Sequence, residues 1–308
     1  MQNIIKNLKE LNILTESELI ELKLRKLYAE SGYKLIRPKK FEQAELYIDN
    51  KNFVGSGGII TFMDADGHLL SLKPDATLSI VKKAVAAKES QKLYYSDEVY
   101  RLSSASRQYE AIEQIGLEYI GKINGDATKE IITLAINSLK TISDNCILDI
   151  SHLSFISPLL EGLEANLQNA IFENIKLKSC HGMEQTLENV KLDDNLKTKI
   201  TKLTQICGEF PHALKQAESL IVSKETETAY IELEDLYKSL CSMELSDNII
   251  LDFSAVNDLS YYNGIVFKGY VKEDPSTVLS GGRYDNLVRK MGGNFGAMGF
   301  AVKLGIRT

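Results

Sequence analysis

The residues best suited to chemistry in this chain include two polar side chains on one short segment. In "EAIEQIGLEYIG", a two-residue period places Gln114, Gly116 and Glu118 on one face of a strand and apolar side chains on the other. A carboxylate and an amide on the same face can line a solvated pocket that binds a small polar ligand. The same pattern also fits the solvent-facing side of an antiparallel sheet, so the spacing alone leaves both interpretations open.

A second chemical candidate is "SYYNGIVFKGYV" at 260–271, followed by "LSGGRYDNLVRKMGG" at 279–293. This order predicts a strand, a turn, a strand and a Gly-Gly-Arg turn into a helix, an arrangement that commonly floors a small-molecule pocket. Tyr261 and Tyr262 are the candidate ligand contacts, and core aromatic side chains are the alternative. For "GGRYD" we expect a structural role, with Arg283 pairing locally.

The elements that position these residues begin with helices. "TESE" is a capping-box signature that predicts a helix from Glu16 to Ser31, which Gly32 ends; a shorter helix precedes it. "YKLIRPKKFEQAELY" predicts a strand that meets Pro38. "IITFMDADGHLLSL" predicts a hairpin around Asp-Ala-Asp-Gly. A helix follows Pro74, with two polar residues in its first turn, Asp75 and Thr77.

The rest of the chain predicts a divided α+β fold. "KLYYSDEVYRL" and "EAIEQIGLEYIG" form a strand pair, and residues 124–142 form a helix capped near Asp126. Leu, Lys and Glu at helical spacing predict a helical insertion at 156–247, with solvated faces or a partner surface as its role. We therefore expect a core of 1–155 and 248–308, a mostly antiparallel sheet flanked by helices in which strands near 95–120 and 250–305 meet.

Composition excludes several classes of protein. The chain has 308 residues, a net charge of −6, 44% hydrophobic residues and 25% charged residues, which fit a globular protein better than a dedicated nucleic-acid binder. Its four cysteines lack metal-site spacing, so we expect reduced, buried thiols, no metal and no cofactor. We also expect no signal peptide and no membrane span, which indicates a cytoplasmic protein.

Several segments together resemble histidyl-tRNA synthetase, in that family's order and over nearly the whole chain. "LSLKPDATLSIVKKA" resembles the family's "LRPEGT" segment, and "YYSDEVYRLSSASRQYEAIEQIGLEYIG" resembles motif 2 and the strand that follows it. "NDLSYYNGIVFKGYV" is similar to "RGLDYYTGTVFE", "GGRYDNLVRKMGG" is similar to "GGRYDGLVEQLGG", and "GAMGFAVKLGIRT" stands where motif 3 belongs. The resemblance implies a class II aminoacyl-tRNA synthetase fold that dimerises through motif 1, near "YKLIRPKKFE".

The resemblance also implies a histidine pocket. Asp75, Thr77 and Gln114 stand at the positions that contact the substrate amine. Glu118 and Tyr262 stand at the positions that read the imidazole, with Tyr261 beside them. For the ligand carboxylate, the candidate cations are Arg101 and Arg107, although Arg101 has an alternative role in a salt bridge with Glu113 or Glu118.

The nucleotide-handling positions depart from the synthetase pattern. Ser103 replaces the motif 2 glutamate, and Asn257 replaces the catalytic arginine of "RGLDYY". In motif 3 the arginine comes one position late, at Arg307, which points its side chain elsewhere. Because removing one group that stabilises developing charge costs on the order of 10²–10³ in rate, these changes predict a chain without adenylation activity. The family's anticodon-binding domain is also expected to be absent.

This combination resembles the regulatory subunits of ATP phosphoribosyltransferase. The resemblance implies a non-catalytic chain that activates a short catalytic subunit, mediates feedback inhibition by L-histidine, and forms a homodimer within a hetero-octamer without binding tRNA. The alternatives are a synthetase-like paralogue with residual amino-acid activation, and a structural activator that no longer senses histidine.

Overall fold

A computed structural model describes residues 13–50, 58–103, 106–255 and 262–305. Twelve strands form two sheets within these residues. In chain order the strands are β1 (Lys34–Leu35), β2 (Phe41–Gln43), β3 (Thr61–Met63), β4 (Leu69–Leu72), β5 (Gln91–Leu102), β6 (Tyr109–Gly121), β7 (Cys146–His152), β8 (Cys207–Glu209), β9 (Ile249–Asp252), β10 (Ile265–Val271), β11 (Asp274–Arg283) and β12 (Gly296–Lys303).

Helices occur in every described part of the chain and are numbered separately. They are α1 (Glu16–Glu30), α2 (Glu45–Ile48), α3 (Thr77–Ala87), α4 (Gly125–Ile142), α5 (Ser157–Leu160), α6 (Ala165–Lys176), α7 (Cys180–Glu188), α8 (Asp194–Lys202), α9 (Phe210–Glu218), α10 (Lys224–Ser242) and α11 (Asp285–Lys290). The predicted helix before Thr15 lies largely outside the described residues.

The large sheet has nine strands in the order β1-β5-β6-β12-β11-β10-β7-β9-β8. Only the pairs β1–β5 and β7–β9 are parallel, so the sheet is mostly antiparallel, as predicted. The predicted meeting of distant strands is confirmed by the pairing of β6 with β12, in which Glu118 lies opposite Gly299. One face of the sheet packs on α4, where Leu139 approaches Gly269 of β10.

Local capping signals explain where the helices begin. Thr15 caps α1, and its side chain and that of Glu18 form the predicted capping box. The cap of α4 is Asn124, whose Oδ1 accepts a hydrogen bond from Ala127 N at 3.1 Å. The prediction of a cap near Asp126 is therefore wrong by two positions, because Asp126 already lies in the first turn of the helix.

The small sheet has the order β2-β4-β3 and contains the predicted hairpin. In its turn, Asp64 Oδ1 accepts hydrogen bonds from the backbone of Asp66 and His68, which lower the pKa of Asp64. The single strand predicted around Pro38 is wrong. The chain instead passes from β1 in the large sheet to β2 in the small sheet, and then enters α2.

Residues 156–247 contain the helices α5 to α10 and the short strand β8. This strand joins the edge of the large sheet, where Cys207 pairs with Asp252 of β9. Apolar residues of α6, α9 and α10 belong to the same hydrophobic cluster as those of α4 and the central strands. The division of the chain at residues 155 and 247 stays a prediction.

All four cysteines have free thiols, but none is fully buried, so the expectation of burial is wrong. Three are half-buried and Cys241 is exposed. Among the described helices, none combines the length and the apolar character that crossing a bilayer would need.

Candidate functional site

Glu118, on the central strand β6, is the focus of the candidate site. Its side chain is buried, and both carboxylate oxygens accept hydrogen bonds from other elements. Thr77, at the start of α3, donates from Oγ1 to Glu118 Oε1 at 2.6 Å. Tyr284, which follows β11, donates its hydroxyl to Glu118 Oε2. The carboxylate is therefore held by two hydroxyl groups that reach it from opposite parts of the fold.

The neighbouring strand leaves room for this carboxylate. Gly299 of β12 lies directly opposite Glu118, and a Cβ atom at Gly299 would overlap Glu118 Oε2. A side chain at position 299 would therefore displace the carboxylate from between Thr77 and Tyr284.

Gln114 is buried on the same face of β6 and donates from Nε2 to the hydroxyl of Tyr95 at 3.1 Å. The exposed fraction is 5% for Gln114 and 2% for Glu118. The alternative interpretation of this face as the solvent-facing side of the sheet is therefore wrong. Gln114 and Glu118 face a covered, polar interior.

Asp75 and Arg101 form an ion pair at the site. Arg101 Nε donates to the carbonyl oxygen of Pro74 at 2.7 Å, and Arg101 Nη2 lies 3.4 Å from Asp75 Oδ2. Asp75 Oδ1 accepts from the backbone of Leu78 in the first turn of α3 at 3.1 Å. The alternative pairing of Arg101 with Glu113 or Glu118 is therefore wrong, because the ion pair forms with Asp75.

The site contains more carboxyl groups than cationic groups among the described residues. Burial raises the pKa of Glu118 to about 8, with Asp75 adding to the rise, while the hydrogen bonds from Thr77 and Tyr284 oppose it. Burial also raises the pKa of Asp75, and the Arg101 guanidinium opposes that rise. A buried carboxyl group and a half-buried one close to a single guanidinium suit a ligand that carries a positive charge.

The tyrosine segment is described only in part, because Tyr261 and Asn257 lie outside the described residues. Tyr262 is half-buried and lies against Gly282 of β11. It packs against the cluster around α4 and against a second hydrophobic cluster, which contains apolar residues of α3 and α11. Its packing fits the core-aromatic alternative, and its role as a ligand contact stays a prediction.

The "GGRYD" segment has the local pairing that we expected. Arg283 Nε donates to Asp285 Oδ2 at 2.9 Å, and Asp285 Oδ1 accepts from the backbone of Ala297 at 2.9 Å. Sequence reasoning missed the contribution of Tyr284 to the site. It lies just beyond the end of β11, where strand alternation no longer indicates the direction of a side chain.

The motif 2 position that lacks its glutamate lies in the connection between β5 and β6. Ser103 Oγ accepts from the backbone of Ser106 at 3.3 Å, and Ser103 N donates to Gln108 O at 2.8 Å. Ser103 therefore stabilises a turn and brings no charge to the nucleotide side of the site. Arg107 is exposed in this turn, with a φ of 57°. Arg307 lies outside the described residues.

One group of described side chains has the composition of a cation site: Asp64, Asp66 and His68 of the β3–β4 turn. Their ligand atoms lie within 4.8 Å of one another. Asp64 Oδ1 already accepts hydrogen bonds from backbone donors of the turn, so these residues stabilise the hairpin.

The architecture and the carboxylate at its centre define the class of protein. A mostly antiparallel sheet flanked by helices, with the polar face of β6 turned to a covered site, is the class II aminoacyl-tRNA synthetase fold. The chain is similar to the solved structure of an ATP phosphoribosyltransferase regulatory subunit/histidyl-tRNA synthetase from Bacillus halodurans. The TM-score is 0.84 at 26% identity, over 93% of this chain and 76% of the other.

The family model of histidyl-tRNA synthetase matches residues 13–305, and the chain belongs to that family. A relative in Bacillus anthracis named ATP phosphoribosyltransferase regulatory subunit is 28% identical over 299 residues, which are 94% of this chain and 70% of the relative. The ATP phosphoribosyl transferase (HisG:HisZ) complex from Thermotoga maritima contains a chain of the same fold, with a TM-score of 0.75 at 19% identity. That match covers 96% of this chain and 100% of the other.

Proposed function

We propose that this chain is a non-catalytic regulatory subunit of ATP phosphoribosyltransferase. The proposal rests on a contrast between the amino-acid-binding and nucleotide-binding positions of one site. Glu118 is buried and held by two hydroxyl groups, whereas Ser103 stands where the synthetases have a nucleotide-binding glutamate. The names of the relatives support the same function. An amino-acid pocket is kept, and the groups that would handle a nucleotide are replaced.

The ligand of the pocket is L-histidine. Its ammonium group faces Asp75, Thr77 and Gln114, where a half-buried carboxylate and polar side chains match a cation. Its imidazole contacts Glu118 and Tyr262, and Tyr261 is the neighbouring candidate in the sequence. Arg101 faces the ligand carboxylate, because its side chain is 40% exposed and its guanidinium keeps donors beyond those used by Asp75 and Pro74.

Regulation follows from a coupling free energy between two chains. If histidine binds more tightly to one state of the complex, it shifts the short-form catalytic subunit toward that state by its differential affinity. The chain acts as a homodimer within a hetero-octamer in the cytoplasm, activates the catalytic subunit and confers inhibition by histidine.

The experiment that tests this function measures activity and binding on the same complex. Glu118→Ala and Tyr262→Ala should raise the histidine concentration for half-inhibition by about tenfold or more, because each removes a contact to the imidazole. Gel filtration should show that both variants still assemble with the catalytic subunit. Unchanged inhibition in both variants would contradict the pocket assignment.

Two other functions give different results in companion measurements. ATP–pyrophosphate exchange that depends on histidine would identify a synthetase-like enzyme. Activation of the catalytic subunit without any heat of histidine binding in calorimetry would identify a structural activator.

A further inference from the structure

A separate cavity of about 460 Å³ lies between the end of β6, the start of β12 and helix α11. Its volume is in the range of small-molecule binding sites. Lys122, Arg283 and Arg289 line it, together with Asn294 and Phe295, and we call it the cationic cavity. None of the proposed histidine-binding residues in the described part of the chain belongs to this lining.

The cationic cavity is positively charged within a chain whose net charge is −6. Its lining contains three cations and a single carboxylate, that of Asp285. Both oxygens of that carboxylate are already used, one by Arg283 and the other by the backbone of Ala297. The remaining positive charge, from Lys122 and Arg289, is therefore available to an anion.

Arg283 is held in position before any ligand arrives, whereas Arg289 is exposed. Arg283 donates from Nε and Nη2 to the same oxygen of Asp285, each at 2.9 Å, which leaves donors at Nη1. The guanidinium of Arg283 therefore loses little conformational freedom when it binds a phosphate. Arg289 Nη2 donates to Asn286 Oδ1 at 2.6 Å, and its other donors face solvent.

One wall of the cavity is apolar. Phe295 is half-buried and packs against the second hydrophobic cluster, and Ile123 is buried beside the end of β6. An aromatic face at the edge of a cationic cavity can stack on a planar ring while the arginines bind an attached anion. The cations and the aromatic side chain in the lining therefore describe a ligand with one anionic end and one flat end.

We propose that the cationic cavity binds a phosphate monoester carried on a planar ring, such as a nucleoside monophosphate. This binding depends neither on the histidine pocket nor on the proposed regulatory function, because no residue is shared between the two sites. It also requires no catalysis by this chain.

The test is calorimetric titration of the purified chain with AMP, inorganic phosphate and adenosine. AMP should bind at one saturable site, more tightly than phosphate, and adenosine should show no saturable binding. Added sodium chloride should weaken the binding of AMP, because Lys122 and Arg289 are exposed cations. Lys122→Gln and Arg289→Gln should each weaken AMP binding by about tenfold, the scale of one charge-assisted hydrogen bond.

Arg25→Gln is the matched control, because Arg25 lies on the surface of α1 and pairs only with Glu21 among the described residues. It should leave AMP binding unchanged. The proposal would be overturned if AMP did not bind, if adenosine bound as tightly as AMP, or if the Lys122→Gln/Arg289→Gln double variant bound AMP as the unmodified chain does. Tighter binding of phosphate than of AMP would overturn the planar-ring assignment.

Discussion

Tyr284 donates its hydroxyl to Glu118 from 166 positions away in the chain. The hydrogen bond joins the residue after β11 to the C-terminal half of β6, with β12 between the two strands. It makes the "GGRYD" segment part of the candidate site, although Arg283 and Asp285 on either side of Tyr284 pair with each other.

Removing the hydroxyl of Tyr284 should destabilise the fold and disturb the pocket. We expect Tyr284→Phe to lower the free energy of unfolding by about 1–3 kcal/mol, because a buried carboxyl group loses one hydrogen-bond partner. Urea denaturation measures this change. Tyr47→Phe is the matched control, because the buried hydroxyl of Tyr47 has no hydrogen-bond partner among the described residues. Equal effects of the two substitutions would contradict the assigned role of Tyr284.

The raised pKa of Glu118 predicts how stability depends on pH. From pH 4.5 to about 8, the folded chain keeps a proton on Glu118 that the unfolded chain releases. The free energy of unfolding should therefore fall as pH rises through this window, with a slope of about 1.4 kcal/mol per pH unit at most. Glu118→Gln lacks this contribution, so the difference between the two proteins isolates it from other titrating groups. A difference that stays constant from pH 5 to pH 8 would refute the prediction.

Asp75 and Arg101 should be energetically coupled. A double-mutant cycle with Asp75→Asn and Arg101→Gln should give a coupling energy on the order of 1 kcal/mol, kept small by the 40% exposure of the Arg101 side chain. Thermal or urea unfolding of the four proteins measures it. A coupling energy within error of zero would mean that Arg101 is held by Pro74 alone.

Lys73 and Asp97 form a buried ion pair next to the site, and replacing one should cost more stability than replacing the other. Lys73 is fully buried, and its Nζ lies 2.6 Å from Asp97 Oδ2. Asp97→Asn should cost about 3–5 kcal/mol, because it leaves a buried cation without its counter-charge. Lys73→Met removes the buried charge itself and should cost less, and a smaller loss of stability in Asp97→Asn than in Lys73→Met would contradict this account.

Local sequence signals predicted the elements that depend on near neighbours. The capping box at Thr15 and the alternation around Gln114 and Glu118 are short-range patterns, and the structure confirms both. Alternation identifies which side chains share a face, but it does not say whether that face is covered. That outcome depends on Thr77 and Tyr284, which reach β6 from other parts of the chain.

The predictions that failed depended on geometry that the local patterns do not contain. The segment around Pro38 has strand-forming residues on both sides, yet the two halves belong to different sheets. The alternative for Arg101, a salt bridge with Glu113 or Glu118, involves strand residues, whereas its partners Pro74 and Asp75 precede helix α3. The family resemblance implies the fold class, whereas the order of the strands depends on pairings between distant segments that composition and periodicity do not contain.

The two hydroxyl groups on Glu118 have a consequence for any further donor that reaches this side chain. Each oxygen of the carboxyl group already accepts one hydrogen bond, from Thr77 or from Tyr284, so its orientation is fixed. A carboxylate oxygen can accept more than one hydrogen bond, so a further donor adds to these two without displacing them. Because the acceptor is oriented in advance, little conformational freedom is lost when such a donor binds, and its affinity does not depend on a rearrangement of the side chain.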